Sequence, residues 1–366
     1  MDDGTKARPL PIRHGASRAV ASIALALGRH GRWTQRVSGL LNPVSGSGDA
    51  PVDCVLVADP DAMGAMAMDA LRAGGYRIVE VWTSGVETPS GAMSRIASLA
   101  SARQRAASRV LSRAAAPVRR LRRPWAASLD NALEAAPAFD VLVCAGSQII
   151  FPAAFLERLR GRAVNLHPAL LPHYRGPRPL HALLIDGMAD TYGGMTLHLI
   201  TSEIDGGPII GQRRVGLVDH GTPDNWQRAV METMTPLLAD DLRAYLAGRR
   251  EPVPQLSGSG SYQALRDVPL HAAPDQTVDR IARYLAAAAG MQRHAMAVLP
   301  DPHRPRRFVV TGGVRIIGRP TGEAPVVSLG HVEFDALDAR IRIRRMTRPE
   351  RLLRKIRRRL AAVFRR

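Results

Sequence analysis

The stretch that decides the fold is Ala163-Val-Asn-Leu-His-Pro-Ala-Leu-Leu-Pro-His-Tyr-Arg-Gly176. Its polar residues Asn165 and His167 lie two positions apart after a short apolar run, and this spacing places both side chains on one face of a strand end. Pro168 then ends the strand, because proline cannot donate to a sheet ladder. We therefore predict that both polar groups lie where a parallel sheet opens into its ligand crevice.

A carboxylate follows further along the chain. Asp205 begins the tight turn Asp205-Gly-Gly-Pro208, which comes after the alternating apolar run Met195-Thr-Leu-His-Leu199. Alternation with a period of two is typical of a strand. This placement lets an amide, an imidazole and a carboxylate meet at adjacent strand ends.

The three side chains suit attack of an amine on a carbonyl, during which a tetrahedral oxyanion forms. Asn165 would donate a hydrogen bond to the oxyanion, an interaction worth roughly 3 to 4 kcal/mol when preorganised. His167 would deliver or relay a proton, since the reference pKa of histidine is about 6.5. Asp205 would orient His167, stabilise its charged form and help to take a proton from the amine. No serine or cysteine stands in the motif, which favours direct transfer over a covalent intermediate.

Each of these residues taken alone has an ordinary structural explanation. A histidine before a proline is more often structural than catalytic, and an aspartate before two glycines is more often a turn residue. The combination and its spacing favour the catalytic interpretation for Asn165, His167 and Asp205. Three other histidines lack such a context and are interpreted as loop or helix-surface groups: His173, His181 and His198.

These residues resemble the folate-dependent formyltransferases, a family that includes methionyl-tRNA, glycinamide ribonucleotide and amino-sugar N-formyltransferases. The similarity rests on 165–176 together with Ile204-Asp-Gly-Gly-Pro-Ile-Ile210, and it extends more loosely over about 54–248. The resemblance implies an α/β, Rossmann-like catalytic domain with a mostly parallel sheet. It also implies formyl transfer from N10-formyltetrahydrofolate to an amine, with Asn165, His167 and Asp205 as the catalytic residues.

The resemblance further implies where the ligands bind. Residues 139–150 are similar to the strand and loop that wrap the pterin with main-chain groups, and the candidate contacts are Leu142, Val143, Cys144, Ala145, Gly146, Gln148 and Ile149. The acceptor amine would approach beside a substrate loop that comprises Leu170, Leu171, Pro172, Tyr174, Arg175 and Gly176. The first βα unit lacks a Gly-x-Gly-x-x-Gly fingerprint, so no NAD is expected, and no metal is expected either.

Composition indicates the class of protein. The chain has 366 residues, 46% of them hydrophobic, without an apolar run approaching 18 residues, which favours a soluble globular protein of two or more domains. The formal charge of +19 comes almost entirely from arginine. A GC-rich genome would produce the same bias, so the charge is weak support for nucleic-acid binding. Cys54 and Cys144 lie in predicted buried strands, as reduced cysteines do in a cytoplasmic protein.

We divide the chain into five parts, which are a basic N-terminal extension (1–48), the catalytic domain (49–248), a linker (249–273), a small β-rich C-terminal domain (274–346) and a basic amphipathic tail (347–366). Predicted strands at 54–57 and 78–82 flank a helix at 63–73. Further helices are predicted at 225–246 and 275–289. Short strands are predicted at 308–310, 314–317, 326–329 and 341–343.

The basic segments leave several alternatives open. The arginine-rich segment 94–123 is predicted as one or two helices broken by Pro117 and Pro124, and an amphipathic helix is predicted in the extension and another in the tail. A solvated helix face is the ordinary explanation for such charge. Phosphate recognition and attachment to the anionic inner face of a membrane are the alternatives.

The acceptor is the least determined part of the predicted function. The amine of a nucleotide-linked amino sugar is the first choice, because no tRNA-reading motif is recognisable and arginines are available for a diphosphate. Initiator methionyl-tRNA is the second, supported by net charge and the C-terminal extension. A catalytically idle scaffold that binds membrane or nucleic acid is an alternative of another class, and the intact trio argues against it.

Overall fold

The computed structural model describes residues 51–84, 115–256, 258, 260–263, 271–290, 295–301, 303–347 and 349–350. The predicted N-terminal extension, the segment 85–114 and the tail after residue 350 lie outside these ranges. In the described ranges, no helix combines the length and the apolar character that a membrane span requires.

The larger sheet has seven strands in the order β3-β2-β1-β4-β5-β6-β7. The strands are β1 Val52–Ala58, β2 Tyr76–Thr83, β3 Val118–Arg120, β4 Val141–Ala145, β5 Ala163–His167, β6 Gly194–Leu199 and β7 Ile209–Arg214. The first five are parallel to one another, and β6 runs antiparallel to both of its neighbours, β5 and β7. The mostly parallel α/β fold predicted from the sequence is confirmed.

Helices cover both faces of this sheet. They are α1 Ala62–Ala73, α2 Trp125–Ala135, α3 Ala153–Leu159, α4 Pro179–Asp186, α5 Ala189–Tyr192, α6 Pro223–Glu232, α7 Met234–Pro236 and α8 Arg243–Leu246, with a π-helical turn Leu237–Leu242 between α7 and α8. Capping side chains start two of them, since Asp61 accepts from Gly64 N and Thr222 from Asn225 N. One face packs on α1, α4 and the π turn, and the other on α2 and α3.

The end of the arginine-rich segment is a strand, so the helix predicted across 94–123 is wrong at β3. The peptide groups on either side of β3 bond to β2, with Val81 N donating to Pro117 O and Leu121 N to Thr83 O. Arg119 on β3 lies 2.6 Å from the buried carboxylate of Glu80. Because a buried carboxylate needs a counter-charge, this pair favours the strand over a helix.

The C-terminal region contains α9 Val278–Gly290 and a five-stranded antiparallel sheet in the order β10-β11-β12-β9-β8. Its strands are β8 Ala295–Leu299, β9 Arg306–Gly318, β10 Val326–Val327, β11 His331–Asp335 and β12 Arg340–Arg345. The β-rich prediction is confirmed. The prediction divided β9 into two strands and omitted β8 and β11.

The two regions share one hydrophobic core, because α9 packs against α4 of the larger unit. Ile281 and Leu285 of α9 are buried with Leu183 of α4. At the end of this contact Arg280 of α9 forms an ion pair with Asp186, the last residue of α4. The C-terminal region is therefore attached to the element that directly follows the predicted substrate loop.

Candidate active site

Strands β5 and β6 place the polar side chains of the site. Asn165 lies opposite His198, and His167 lies opposite Thr196, in the antiparallel pairing of these strands. Directly opposed residues point to the same face of a sheet, so all four form one polar patch. His198 is only 2% exposed. Its interpretation as a loop or helix-surface group is wrong.

Asp205 completes the arrangement from the turn after β6. Its Oδ2 accepts from Gly176 N at 2.8 Å and lies 3.5 Å from His167 Nδ1. Its Oδ1 accepts from Asn165 Nδ2 at 3.3 Å. The backbone of Asp205 is left-handed, with φ of 51°. The structure therefore brings together the amide, imidazole and carboxylate predicted from the sequence.

His198 orients the amide of Asn165. Its Nδ1 lies 2.8 Å from the carbonyl oxygen of Leu199, which can only accept, so Nδ1 carries the hydrogen. The unprotonated Nε2 then accepts from Asn165 Nδ2 at 3.1 Å. Both amide hydrogens of Asn165 thus have partners, and the longer bond to Asp205 is the weaker of the two.

The tautomer of His167 follows from the same reasoning. Its Nε2 lies 2.9 Å from the carbonyl oxygen of Tyr174 and donates to it. The other ring nitrogen, Nδ1, faces the carboxylate of Asp205. Nδ1 is therefore the nitrogen at which His167 exchanges a proton.

The pKa values of this pair are shifted by burial and by mutual attraction. Burial lowers the pKa of His167 below its ordinary value, and the Asp205 carboxylate opposes this effect without cancelling it. Burial alone would raise the pKa of Asp205, but His167 and the Gly176 N–H together hold it well below its usual range. At neutral pH the site thus contains an ionised carboxylate beside an imidazole that is free to accept a proton.

Thr196 holds the start of the predicted substrate loop. Its fully buried hydroxyl donates to Ala169 O at 2.6 Å and accepts from Leu171 N at 3.1 Å. Gln212 on β7 donates to Leu171 O at 2.8 Å. The period-two pattern of β6 contained the signal for Thr196 and His198, because both alternate with apolar residues.

The segment predicted as a linker also contacts the site. Gln255 Nε2 donates to Asp205 O at 2.9 Å and to Gly207 O at 2.7 Å, which holds the turn. Gln255 Oε1 accepts from Arg175, whose guanidinium also binds Glu203. No motif in the sequence indicates these contacts, which depend on the return of the chain to the loop.

The predicted pterin contacts fall into two groups. Residues 142–145 lie inside β4, buried and paired with β1 on one side and β5 on the other. The remaining three, Gly146, Gln148 and Ile149, lie in the loop after β4, where Gly146 has a left-handed φ of 67°. Burial raises the pKa of the Cys144 thiol to about 12, so this residue is not a nucleophile.

Comparisons with known proteins identify formyltransferases as relatives of this chain. Residues 67–240 match the family model described as "Formyl transferase". A methionyl-tRNA formyltransferase of Listeria monocytogenes serotype 4a (strain HCC23) is 36% identical over 116 residues, which are 32% of this chain and 36% of that protein. Two solved structures are also similar, a sugar N-formyltransferase from Shewanella sp FDAARGOS_354 at 20% identity and a 4-N formyltransferase from Francisella tularensis at 16% identity. Each aligns with a TM-score of 0.51 over 73% of this chain and 99% of the other chain.

The fold and the site define a formyltransferase-type catalytic unit, and the family model covers most of it. Residues 67–240 thus match the formyl transferase family, as the resemblance in the sequence predicted. The two solved structures show the same fold. The chain spans 36% of the length of the Listeria relative.

Proposed function

We propose that this protein is an N-formyltransferase that moves a formyl group from N10-formyltetrahydrofolate directly to a primary amine. The observation that carries the proposal is that Asn165 and His167 both converge on the ionised carboxylate of Asp205. Each group has the polarity that a step of this reaction requires. No sulfhydryl or hydroxyl nucleophile takes part.

Asn165 serves the oxyanion in this mechanism. As the acceptor nitrogen attacks the formyl carbon, negative charge develops on the formyl oxygen. Asn165 exchanges its weaker bond with Asp205 for one to that oxygen, while His198 keeps the amide in place. Such a preorganised donor is worth about 3 to 4 kcal/mol in the transition state.

His167 and Asp205 move the proton. The attacking amine becomes an ammonium in the tetrahedral intermediate and must lose a proton before the folate nitrogen leaves. The proton passes by way of Asp205 to the Nδ1 of His167, and the imidazolium formed is stabilised by the carboxylate 3.5 Å away. His167 then returns a proton to the leaving nitrogen.

The loop after β4 is the proposed pterin site. Its peptide groups lie outside the sheet, unlike those of Leu142–Ala145, and they lie beside β5 at the same edge. Ile150 in this loop is 53% exposed and offers an apolar contact for a planar ring. The main chain at Gly146, Gln148 and Ile149 would supply the hydrogen bonds that identify the pterin.

A nucleotide-linked amino sugar is the proposed acceptor. Arg122 and Arg123 are exposed in the loop after β3, at the same edge of the sheet as the site. The loop lies four strand spacings from β5, roughly 19 Å at about 4.8 Å per spacing, a length that a sugar joined to a nucleoside diphosphate spans. Guanidinium groups suit the two phosphates of such a ligand.

Methionyl-tRNA is the second candidate acceptor. It is supported by the 36% identity to the Listeria protein, which carries that name, and by the net charge of +19. The two candidates differ in salt dependence. Binding of tRNA neutralises many phosphates and falls steeply with salt, whereas a diphosphate contributes few charges.

The test is formyl transfer from N10-formyltetrahydrofolate to a panel of amino-sugar nucleotides and charged initiator tRNA, measured by release of tetrahydrofolate. Transfer to an amino-sugar nucleotide that disappears in His167→Ala supports both the activity and the acceptor. Transfer to the tRNA alone would replace the proposed acceptor. Failure of the wild-type protein to bind the folate would overturn the activity.

A further inference from the structure

We propose that Asp186 is a positioning residue for His167, acting through Tyr174, and that Arg280 of the C-terminal region holds Asp186 in place. This inference rests on the proposed formyl transfer for its kinetic consequence. Its structural basis is a continuous series of hydrogen bonds from α9 to the imidazole of His167.

Tyr174 is the central residue of this series. Its backbone has a left-handed φ of 57°, which is unfavourable for an aromatic residue. Such a conformation persists only where surrounding contacts hold it, and it occurs often at functional sites. The structure thus requires contacts that keep the main chain of Tyr174 in this conformation.

Three contacts hold it. The N–H of Tyr174 donates to Ser261 Oγ at 2.9 Å, its carbonyl oxygen accepts from His167 Nε2 at 2.9 Å, and its phenol donates to Asp186 Oδ2 at 3.3 Å. The side chain is buried, with its ring 6.0 Å from that of Tyr192. Burial and the neighbouring carboxylate raise the pKa of Tyr174, so the phenol keeps its proton and remains the donor.

The carboxylate of Asp186 lies at an electrostatically unfavourable end of its helix. It is the last residue of α4, where the negative end of the helix dipole disfavours a carboxylate. Arg280 on α9 compensates by donating to Asp186 Oδ1 at 3.3 Å. The carboxylate is thereby held between one residue of the C-terminal region and one residue of the substrate loop.

The consequence reaches His167 through the main chain of Tyr174. When the phenol is anchored, the carbonyl of Tyr174 stays where it accepts from Nε2, and Nδ1 remains directed at Asp205. When the anchor is lost, the left-handed backbone can relax and the carbonyl moves. His167 then loses the contact that selects its tautomer.

The kinetic test uses Asp186→Ala, Tyr174→Phe and the double variant. Each single change should lower kcat about tenfold, as expected for one lost buried hydrogen bond, with KM for the folate within about twofold. The double variant should lose no more than either single one, because both break the same series. Losses that multiply in the double variant would overturn the inference.

Two further variants separate positioning from general structure. Asp186→Asn keeps an oxygen that accepts from the phenol and should retain kcat within about threefold of the wild type. Asp279→Asn removes an exposed carboxylate of α9 that pairs with Arg283, and it should leave kcat unchanged. If Asp186→Ala does not fold, Tyr174→Phe and Asp186→Asn carry the test.

A spectroscopic measurement makes the inference independent of turnover. The ¹⁵N NMR signals of the His167 ring, assigned by their loss in His167→Gln, should show Nε2 protonated in the wild type and both nitrogens partly protonated in Tyr174→Phe. Unchanged signals in Tyr174→Phe would overturn the positioning role. Changed signals in a protein that transfers no formyl group would support the positioning role and reject the proposed function.

Discussion

Removal of the imidazole of His198 is the most informative change that the structure suggests. Among the described residues of the site, His198 contacts the side chain of Asn165 at 3.1 Å, whereas its Nε2 lies 3.7 Å from the carboxylate of Asp205. In His198→Ala the amide of Asn165 keeps the weaker bond to Asp205 and loses the partner that sets its orientation. The change therefore tests whether preorganisation of the oxyanion donor matters.

The magnitude follows from the contacts. Loss of Asn165 itself should lower kcat by about 100- to 1,000-fold, as for other single oxyanion donors. Loss of its orienting partner leaves the donor present but misdirected, so we expect kcat to fall about 10- to 100-fold, equivalent to about 1.4 to 2.7 kcal/mol. The buried amide hydrogen left without a partner should also cost about 1 to 3 kcal/mol of unfolding free energy.

The assay is the initial rate of tetrahydrofolate release, with urea unfolding measured on the same samples. His198→Gln retains an acceptor and should recover part of the lost rate. His303→Ala removes an exposed histidine of the C-terminal region and serves as the control. A rate for His198→Ala within twofold of the wild type, or losses that multiply fully in Asn165→Ala/His198→Ala, would refute the reasoning.

Three other predictions follow. Asp205→Asn should lower kcat at least 100-fold. It should also lower the unfolding free energy, and this difference from the wild type should narrow as pH falls below about 4. The reason is that a carboxyl with a lower pKa in the folded protein stabilises the fold fully only above its unfolded pKa, and that stability is lost as pH falls through the folded pKa. Gly176→Ala should destabilise by about 2 kcal/mol or more in urea unfolding, since φ is 97° and a Cβ would lie 2.7 Å from Gln263 O. Arg122→Ala/Arg123→Ala should raise KM for a nucleotide-linked acceptor about tenfold with little change in kcat.

Each of these predictions has a result that would contradict it, and the glycine variant also has a matched control. For Gly176, the control is Gly313→Ala, whose Cβ would meet nothing within 4 Å, and equal stability of the two variants would contradict the strain argument. For Asp205, a difference in unfolding free energy between wild type and variant that widens in acid would contradict the assigned lowering of the pKa. For the arginine pair, an unchanged KM for the acceptor would show that these arginines do not bind the diphosphate.

The convergence of Asn165, His167 and Asp205 could be predicted from the sequence because its signals are local. Asn165 and His167 share one strand end, and Asp205 begins a recognisable turn. His198 could not be assigned in the same way, since its partner is set by the antiparallel register of β5 and β6. That register depends on the path of the 26 residues from Pro168 to Gly193, which no period in the sequence specifies.

The strand β3 shows how tertiary contacts override composition. Alanine and arginine favour helix, and the segment was predicted helical on that basis. The edge of β2 offers unpaired peptide groups and the carboxylate of Glu80, and both are satisfied only if Arg119 arrives on a strand. Glu80, which stands between the apolar residues Val79 and Val81, was the available signal that a cation would lie beside it.

In the C-terminal sheet the difference comes from Gly312 and Gly313. These two residues lie between the predicted strands 308–310 and 314–317, yet the ladder with β12 continues on both sides of them. Ile343 pairs with Val314 and Arg344 with Thr311, so the glycines form a bulge. Glycine permits the local conformation that such a bulge needs.

Residues with left-handed backbone connect these observations to function. Tyr174, Arg178 and Asp205 have φ values of 57°, 61° and 51°, and all three lie on or directly beside the site. Each carries a conformational cost of about 1 to 2 kcal/mol, so contacts from outside the loop must compensate. Two of those contacts come from Gln255 and Ser261, in the segment predicted as a linker. The proposed functional unit therefore extends past residue 248, because Asp205 and the predicted substrate loop are both held by hydrogen bonds from the chain that returns to them.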